Sequence, residues 1–202
     1  MAAVKSAGGK KLVIVESPTK MKSIQGYLGD GYEVLSSVGH IRDLADKKDI
    51  PAELKKTSVG KYSIDIENGF TPLYVESERG KKTVAELKRA LKNADELLLA
   101  TDEDREGEAI AWHLLEALKP KVPVKRMVFH EITKDAIRAA VDNTRELDLA
   151  LVDAQETRRI LDRLYGWDVS DVTRRKLGQG TSAGRRQVAA ARPAARGGGR
   201  QM

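Results

Sequence analysis

The run Leu97-Leu98-Leu99-Ala100-Thr101-Asp102-Glu103-Asp104-Arg105-Glu106-Gly107-Glu108 decides the fold. Its apolar first part predicts a buried strand. The acids that follow stand at the carboxyl end of that strand, where open α/β sheets place their binding sites. Crowded carboxylates repel one another, and Mg²⁺, which proteins hold with one or two carboxylates plus waters and phosphates, relieves that repulsion. The run is therefore a candidate metal site suited to phosphoryl transfer or phosphodiester cleavage.

A plainer interpretation of the same acids has to be weighed. Acidic residues that open a helix often do no more than interact favourably with the helix dipole. Asp102 and Glu106 are four positions apart, so they would share one solvent-exposed face of a helix. Taken alone, the acidic run slightly favours this structural role over a metal site.

A second segment, Lys11-Leu12-Val13-Ile14-Val15-Glu16-Ser17-Pro18-Thr19-Lys20, repeats the pattern. An apolar strand ends in one acid, Glu16. Ser17 is a favoured N-cap and Pro18 suits the first helical position, so a helix that carries Lys20 follows at once. Strands of a parallel sheet present their carboxyl ends at the same edge, so Glu16 and Lys20 are expected to meet the acids that begin at Asp102. Two such strands predict a combined metal and phosphate site.

Strands and helices alternate along the chain, which predicts an α/β fold built on a parallel sheet. Strands are expected near 12–15, 32–36, 96–100 and 124–129, and helices near 18–28, 81–92, 105–118, 133–141 and 148–165. The stretch 45–80 is expected to be irregular, with β-like runs around 62–66 and 72–75.

Five collinear motifs between about Lys11 and Ser170 carry a resemblance to bacterial type IA DNA topoisomerase I. They are Val13–Lys20, Ser36–Leu44, Ala100–Leu114, Arg126–Thr133 and Asp153–Leu164. The resemblance implies a Toprim domain, which is a Rossmann-like parallel sheet flanked by helices. It also implies that the Toprim domain spans 11–142 and that 143–172 is the helical start of the next domain. The composition of the two ends predicts a disordered leader (1–10) and a basic, disordered tail (173–202).

The resemblance assigns roles residue by residue. Glu16 matches the acid beside the scissile phosphate, which acts as general acid for the departing 3′ oxygen and is a candidate metal ligand. Lys20 matches a lysine that supports the phosphate charge. Asp102, Asp104 and Glu106 match the acids that bind Mg²⁺, the expected cofactor.

Several arginines are candidates for contacts with phosphate. Arg105 would either contact phosphate or pair with an acid. Arg158 and Arg159, on the helix near 148–165, are either phosphate contacts or ordinary solvated charges. Arg185 lies in Ser182-Ala183-Gly184-Arg185, which is similar to a family motif on a DNA-facing helix. The expected partner is therefore DNA, in single-stranded segments.

The family cuts one DNA strand with a tyrosine that becomes joined to the 5′ phosphate. None of the five tyrosines in this sequence stands in that motif. The resemblance therefore implies an ATP-independent, Mg²⁺-dependent enzyme that relaxes negatively supercoiled DNA, of which this chain holds the part without the nucleophile. The chain alone is expected to be inactive in relaxation, and the remaining topoisomerase domains are expected partners in trans. The alternative is a free-standing Toprim nuclease or nucleic-acid-binding module.

Composition limits the remaining possibilities. Eight of the 36 basic residues and one of the 30 acids lie in 171–202, which leaves 28 basic and 29 acidic residues in 1–170. The positive excess therefore belongs to the end of the chain, and any DNA groove on the folded part must be local. The sequence has no cysteine and no apolar run of about 18 residues, so a cytoplasmic protein without a membrane span is expected. The resemblance to a DNA topoisomerase implies that it is associated with the nucleoid.

Overall fold

The computed structural model describes residues 9–177 of the chain. The strands are β1 (Lys10–Val15), β2 (Tyr32–Ser36), β3 (Arg42–Leu44), β4 (Ile64–Asp65), β5 (Thr71–Pro72), β6 (Tyr74–Glu76), β7 (Ala94–Ala100) and β8 (Val124–Arg126). The helices are α1 (Pro18–Leu28), α2 (Ser58–Tyr62), α3 (Glu78–Leu91), α4 (Arg105–Leu118), α5 (Lys134–Asp142) and α6 (Leu149–Leu177). The described residues divide into two compact units, one formed by residues 9–43 and 74–155 and the other by residues 44–73 and 156–177.

The first unit is built on a four-stranded sheet in the order β2-β1-β7-β8. Every neighbouring pair in this sheet is parallel. The predicted α/β class, a parallel sheet flanked by helices, is therefore confirmed. The register pairs Val15 with Ala100, so β1 and β7 end side by side and the residues that follow them emerge at one edge of the sheet.

Two apolar clusters cover the faces of this sheet. Side chains that alternate along a strand point to opposite faces, and the residues of β1 divide accordingly. Leu12 and Ile14 join a cluster with residues of α3 and α4. Val13 and Val15 join a second cluster that includes Ile24 of α1 and Ile137 of α5. The central strands are thus buried on both faces, which explains their continuous apolar runs.

The second unit contains a 3₁₀ turn (Ala52–Leu54), α2, the antiparallel pair of β4 and β5, and the later part of α6. The predicted β-like run around 62–66 is wrong at its start, because Tyr62 ends a short helix. Thr57 caps that helix by accepting from the Val59 amide at 3.2 Å, and Ser63 ends it in the left-handed region with φ of 62°. The strand begins only at Ile64.

The other predicted elements agree closely with the structure. Helices α1 and α4 have the predicted bounds, whereas β8 is shorter than predicted. Helix α6 continues to Leu177, with the i,i+4 pair Asp171–Arg175 at 2.6 Å in its last turns. It therefore reaches into the segment predicted to be a disordered tail. The predicted leader and tail otherwise fall almost entirely outside the described residues, and the predicted domain bounds stay a prediction. Among the described helices, none combines the length and apolar character that a membrane span requires.

Candidate active site at the sheet edge

Glu16 and Lys20 are placed by the junction of β1 and α1. The Ser17 side chain caps the helix by accepting from the Lys20 amide at 3.3 Å, and Pro18 occupies the first turn. One helical turn separates Lys20 from Glu16, so the ammonium returns to the carboxylate, with Nζ 2.5 Å from Oε1 of Glu16. The strand end and the helix start together fix both side chains.

Asp102 completes a three-residue cluster with Glu16 and Lys20. Its Oδ1 accepts a short hydrogen bond from the Lys20 ammonium. The Lys20 ammonium therefore lies between two carboxylates that come from the ends of adjacent parallel strands. The sequence prediction that these residues meet is supported for Glu16, Lys20 and Asp102.

Burial and contacts within this cluster shift the pKa values of Glu16 and Asp102 in opposite directions. Burial and a hydrogen bond with Asp102 raise the pKa of Glu16, despite the opposing effect of Lys20. Burial would raise the pKa of Asp102 as well, but hydrogen bonds with Glu16 and Lys20 outweigh it and lower that pKa. Of the two carboxyl groups, Glu16 is thus the better proton donor and Asp102 the better carboxylate ligand.

The other predicted acids have local partners. Asp104 is the N-cap of α4, and its Oδ1 accepts from the Gly107 amide at 2.7 Å. Glu106 lies in the first turn of α4, with its Oε1 3.3 Å from Nε2 of His40. Arg105 is exposed at the start of the same helix. The interpretation of the acidic run as a helix opening therefore holds for Asp104.

The donor set can be compared with what a metal requires. Glu16 and Asp102 already share one cation, the Lys20 ammonium, and two carboxylates suffice for Mg²⁺ when water and phosphate supply its other ligands. Within residues 9–177, however, no group of three or more acids or histidines is arranged to hold a metal. The four-acid metal set of Glu16, Asp102, Asp104 and Glu106 therefore stays a prediction.

The predicted DNA-contacting arginines remain predictions as well. Arg158 lies on α6 with its Nε 3.7 Å from Oδ2 of Asp162, one turn away. Arg159 is half-buried on the same helix. Arg185 lies outside the described residues.

Sequence reasoning missed two residues behind the site, Glu108 and Arg126. The Glu108 side chain is fully buried and that of Arg126 is only 1% exposed, with Nη2 of Arg126 2.9 Å from Oε1 of Glu108. The signal was present in the sequence, since an arginine stands between Val124 and Met127 in a strand of the core. Such a charge calls for a buried partner, but the partner's identity depends on three-dimensional contact.

Comparison with known proteins identifies relatives of this chain. A family model described as the Toprim domain matches residues 11–132. DNA topoisomerase 1 of Streptomyces coelicolor is 62% identical over 185 residues, which cover 92% of this chain and 19% of that protein. DNA topoisomerase 1 of Synechocystis is 57% identical over 183 residues, which cover 90% of this chain and 20% of the relative. The chain thus spans about a fifth of the length of these curated relatives.

A solved structure shows the same architecture. The full-length topoisomerase I from Thermotoga maritima superposes with a TM-score of 0.70 at 42% sequence identity. The match covers 81% of this chain and 26% of that one. Both comparisons therefore relate this chain to one part of much longer proteins.

Proposed function

The chain belongs to the Toprim family, and from that premise we propose that it forms the acidic, phosphate-handling half of the active site of a type IA DNA topoisomerase. The observation that carries the proposal is the shared position of the Lys20 ammonium between Glu16 and Asp102. Glu16 and Asp102 follow the ends of adjacent strands, and they hold the Lys20 ammonium between them at the sheet edge. The high identity to proteins named DNA topoisomerase 1 supports the same reaction class.

Glu16 and Lys20 take the roles that strand cleavage requires. The attack on phosphorus breaks its bond to the 3′ oxygen, and that oxygen needs a proton as it leaves. Glu16 is the proposed donor of that proton, and burial together with its hydrogen bond with Asp102, which raise the pKa of Glu16, supports this role. Lys20 stays protonated, since its partners raise its pKa against the effect of burial, and its charge stabilises the phosphate oxygens.

The acids that begin at Asp102 are the proposed metal ligands. Asp102 and Glu16 would hold Mg²⁺, with Asp104 and Glu106 as further candidates, and the bound metal would neutralise negative charge at the phosphate. In this proposal the attacking tyrosine comes from another part of the topoisomerase, and the DNA is held as a single strand. The relaxation of negatively supercoiled DNA without ATP belongs to the assembled enzyme.

A chimaera tests the proposal. Residues 11–170 of this chain would replace the matching region of the Streptomyces coelicolor relative, and plasmid relaxation would be measured with Mg²⁺. We expect relaxation, together with its loss in the Glu16→Gln and Asp102→Asn chimaeras. A folded chimaera without activity, or one that Glu16→Gln leaves active, would contradict the proposed roles.

The unmodified chain tests the alternative. Alone, it should form no covalent adduct with single-stranded DNA and should leave plasmid supercoiled. Hydrolytic nicking that needs Mg²⁺ and Asp102 but yields no protein–DNA adduct would instead support a Toprim nuclease. DNA binding without cleavage both by the unmodified chain and by the folded chimaera would support a nucleic-acid-binding module.

A further inference from the structure

A buried ion pair lies directly behind Asp102. Arg126, the last residue of β8, donates from Nε and Nη2 to Oε1 of Glu108 on α4, at 3.0 and 2.9 Å. Both side chains are buried: 1% of the Arg126 side chain and 0% of the Glu108 side chain are exposed to solvent. The pair is also separate from the Glu16–Lys20–Asp102 cluster, because neither of its carboxylate or guanidinium groups takes part in the cluster's ion pairs.

The guanidinium of Arg126 has a second set of contacts, all to main-chain carbonyls. It donates to Leu99 at 2.5 Å, to Thr101 at 3.2 Å and to Asp102 at 3.1 Å. These carbonyls mark the end of β7 and the first residues beyond it. Because the guanidinium is a rigid planar fork, it fixes the path of the chain at the point where the Asp102 side chain begins.

Glu108 holds the arginine in place from the other side. Its carboxylate also accepts from Arg145 at 2.5 Å and from the Asp148 amide at 3.2 Å. Burial would raise the pKa of Glu108, but the hydrogen bond and charge of Arg126, together with hydrogen bonds from Arg145 and the Asp148 amide, outweigh it and lower that pKa. Glu108 is therefore an anchored anion, and Arg126 is oriented by it.

Stability alone does not explain such a pair. The desolvation of two buried charges consumes most of their mutual attraction, and apolar residues of similar volume often serve a core equally well. A carboxylate that binds a metal, by contrast, depends on the groups that orient it. Through its contacts with the carbonyls of Thr101 and Asp102, Arg126 connects this ion pair to the main chain that carries the Asp102 carboxylate.

We propose that Arg126, held by Glu108, is a positioning residue that fixes Asp102 for binding the cation at the sheet edge. The inference rests on the proposed function, since it concerns the carboxylate that would hold Mg²⁺. It predicts that the loss of Arg126 weakens Mg²⁺ binding although Arg126 itself never contacts the cation. It also predicts that the loss of Arg126 loosens the main chain from Asp102 to Gly107, even when no metal is bound.

Arg145 provides a matched control. It donates to the same oxygen of Glu108 as Arg126 does, so Arg145→Met removes an equal charge from the same carboxylate. The Arg145 side chain donates to Glu108 and to the Glu146 carbonyl, and not to the carbonyls of Thr101 and Asp102. Its main chain pairs with that of Arg126, and Arg145→Met keeps that pairing. An effect transmitted through the charge on Glu108 would appear in both variants. The Arg126 charge also lowers the pKa of Asp102 directly, so Arg126→Lys, which keeps that charge, separates this direct effect from positioning.

The experiment uses the full chain, with Mg²⁺ alone as ligand. Calorimetric titration should show a loss of affinity of about tenfold or more for Arg126→Met and Arg126→Lys, the range found when groups that orient metal ligands are removed. Arg145→Met should stay within about twofold of the wild type. Arg126→Lys keeps the charge but not the planar fork, so full rescue by lysine would overturn the positioning role.

A second variant distinguishes a specific loss of Mg²⁺ affinity from a general loss of stability. The double change Glu108→Leu and Arg126→Met replaces the pair with apolar side chains, so it should melt near the wild-type temperature and still lose Mg²⁺ affinity. A double variant that is stable and binds Mg²⁺ like the wild type would overturn the inference.

Amide hydrogen exchange separates this inference from the proposed function. Without metal, exchange at residues 102–107 should accelerate in Arg126→Met and stay at the wild-type rate in Arg145→Met. If the wild type binds no Mg²⁺, the metal part of the proposed function fails, and exchange alone decides the positioning role. Unchanged exchange in Arg126→Met would refute positioning while the proposed function stands.

Discussion

The ammonium of Lys20 pairs with the carboxylate of Asp102, a residue 82 positions further along the chain. The pair joins the first turn of α1 to the end of β7 at one edge of the sheet. Because the same ammonium also contacts Glu16, one cation neutralises two acids that would otherwise repel each other. Lys20 thus occupies the kind of position that a bound metal would take.

Replacement of Lys20 by methionine should therefore strengthen Mg²⁺ binding. Lys20 and Glu16 are half-buried and Asp102 is exposed. A partly exposed ion pair is worth about 1 kcal/mol, so the loss of a competing cation should raise the affinity about two- to fivefold. Isothermal titration of Lys20→Met measures the change. Lys11→Met is the control, because it removes a lysine whose partner is Glu96, at 2.7 Å on the neighbouring strand. Equal affinity in wild type and Lys20→Met would show that the ammonium and the metal do not compete.

Asp104 has a structural role that can be separated from its predicted metal role. Alanine removes the cap that Gly107 needs and should cost about 1 kcal/mol of unfolding free energy. Asparagine caps equally well and should stay near wild-type stability in urea. If the carboxylate is also a ligand, both variants should lose Mg²⁺ affinity by the same factor. Full affinity in Asp104→Asn would remove Asp104 from the metal set.

Gly107 should not tolerate a side chain. A Cβ at this position would lie 2.1 Å from the carbonyl oxygen of Asp102, so the turn must move. Gly107→Ala should destabilise the protein by about 1–3 kcal/mol and weaken Mg²⁺ binding through Asp102. Gly26→Ala is the matched helical control, because its Cβ would meet nothing within 4 Å. That change should stabilise α1 by about 0.5–1 kcal/mol, and thermal melts distinguish the two.

The sequence predicted the two strands that carry the site, but it did not predict the short helix α2 or the buried Glu108–Arg126 pair. Apolar runs ending in Glu16 and Asp102 predicted two buried strands, and the alternation of strands with helices predicted that these strands run parallel and end at one edge. Helix α2 was missed since five residues are too short for periodicity to separate a helix from a strand. Glu108 was counted among the acids of its run, but its partner Arg126 is 18 residues away, and no local pattern links them.

The buried pair also predicts how stability depends on pH. Glu108 has a lowered pKa in the folded protein relative to its ordinary value of 4.5. The folded state therefore binds fewer protons there than the unfolded state, so its contribution is present above pH 4.5 and is lost as pH falls below that value. Glu108→Gln removes this titration and should flatten the stability curve at acid pH.

Urea unfolding between pH 3 and pH 7 measures this effect. The Gln variant should be less stable at pH 7 by about 3 kcal/mol, because Arg126 keeps a buried charge without its counterion. The difference from wild type should shrink toward pH 3. Glu116→Gln, on an exposed position of the same helix, leaves the buried pair intact and serves as the control. A difference between wild type and Glu108→Gln that stays constant across the pH range would mean that Glu108 does not supply the acid-sensitive stability.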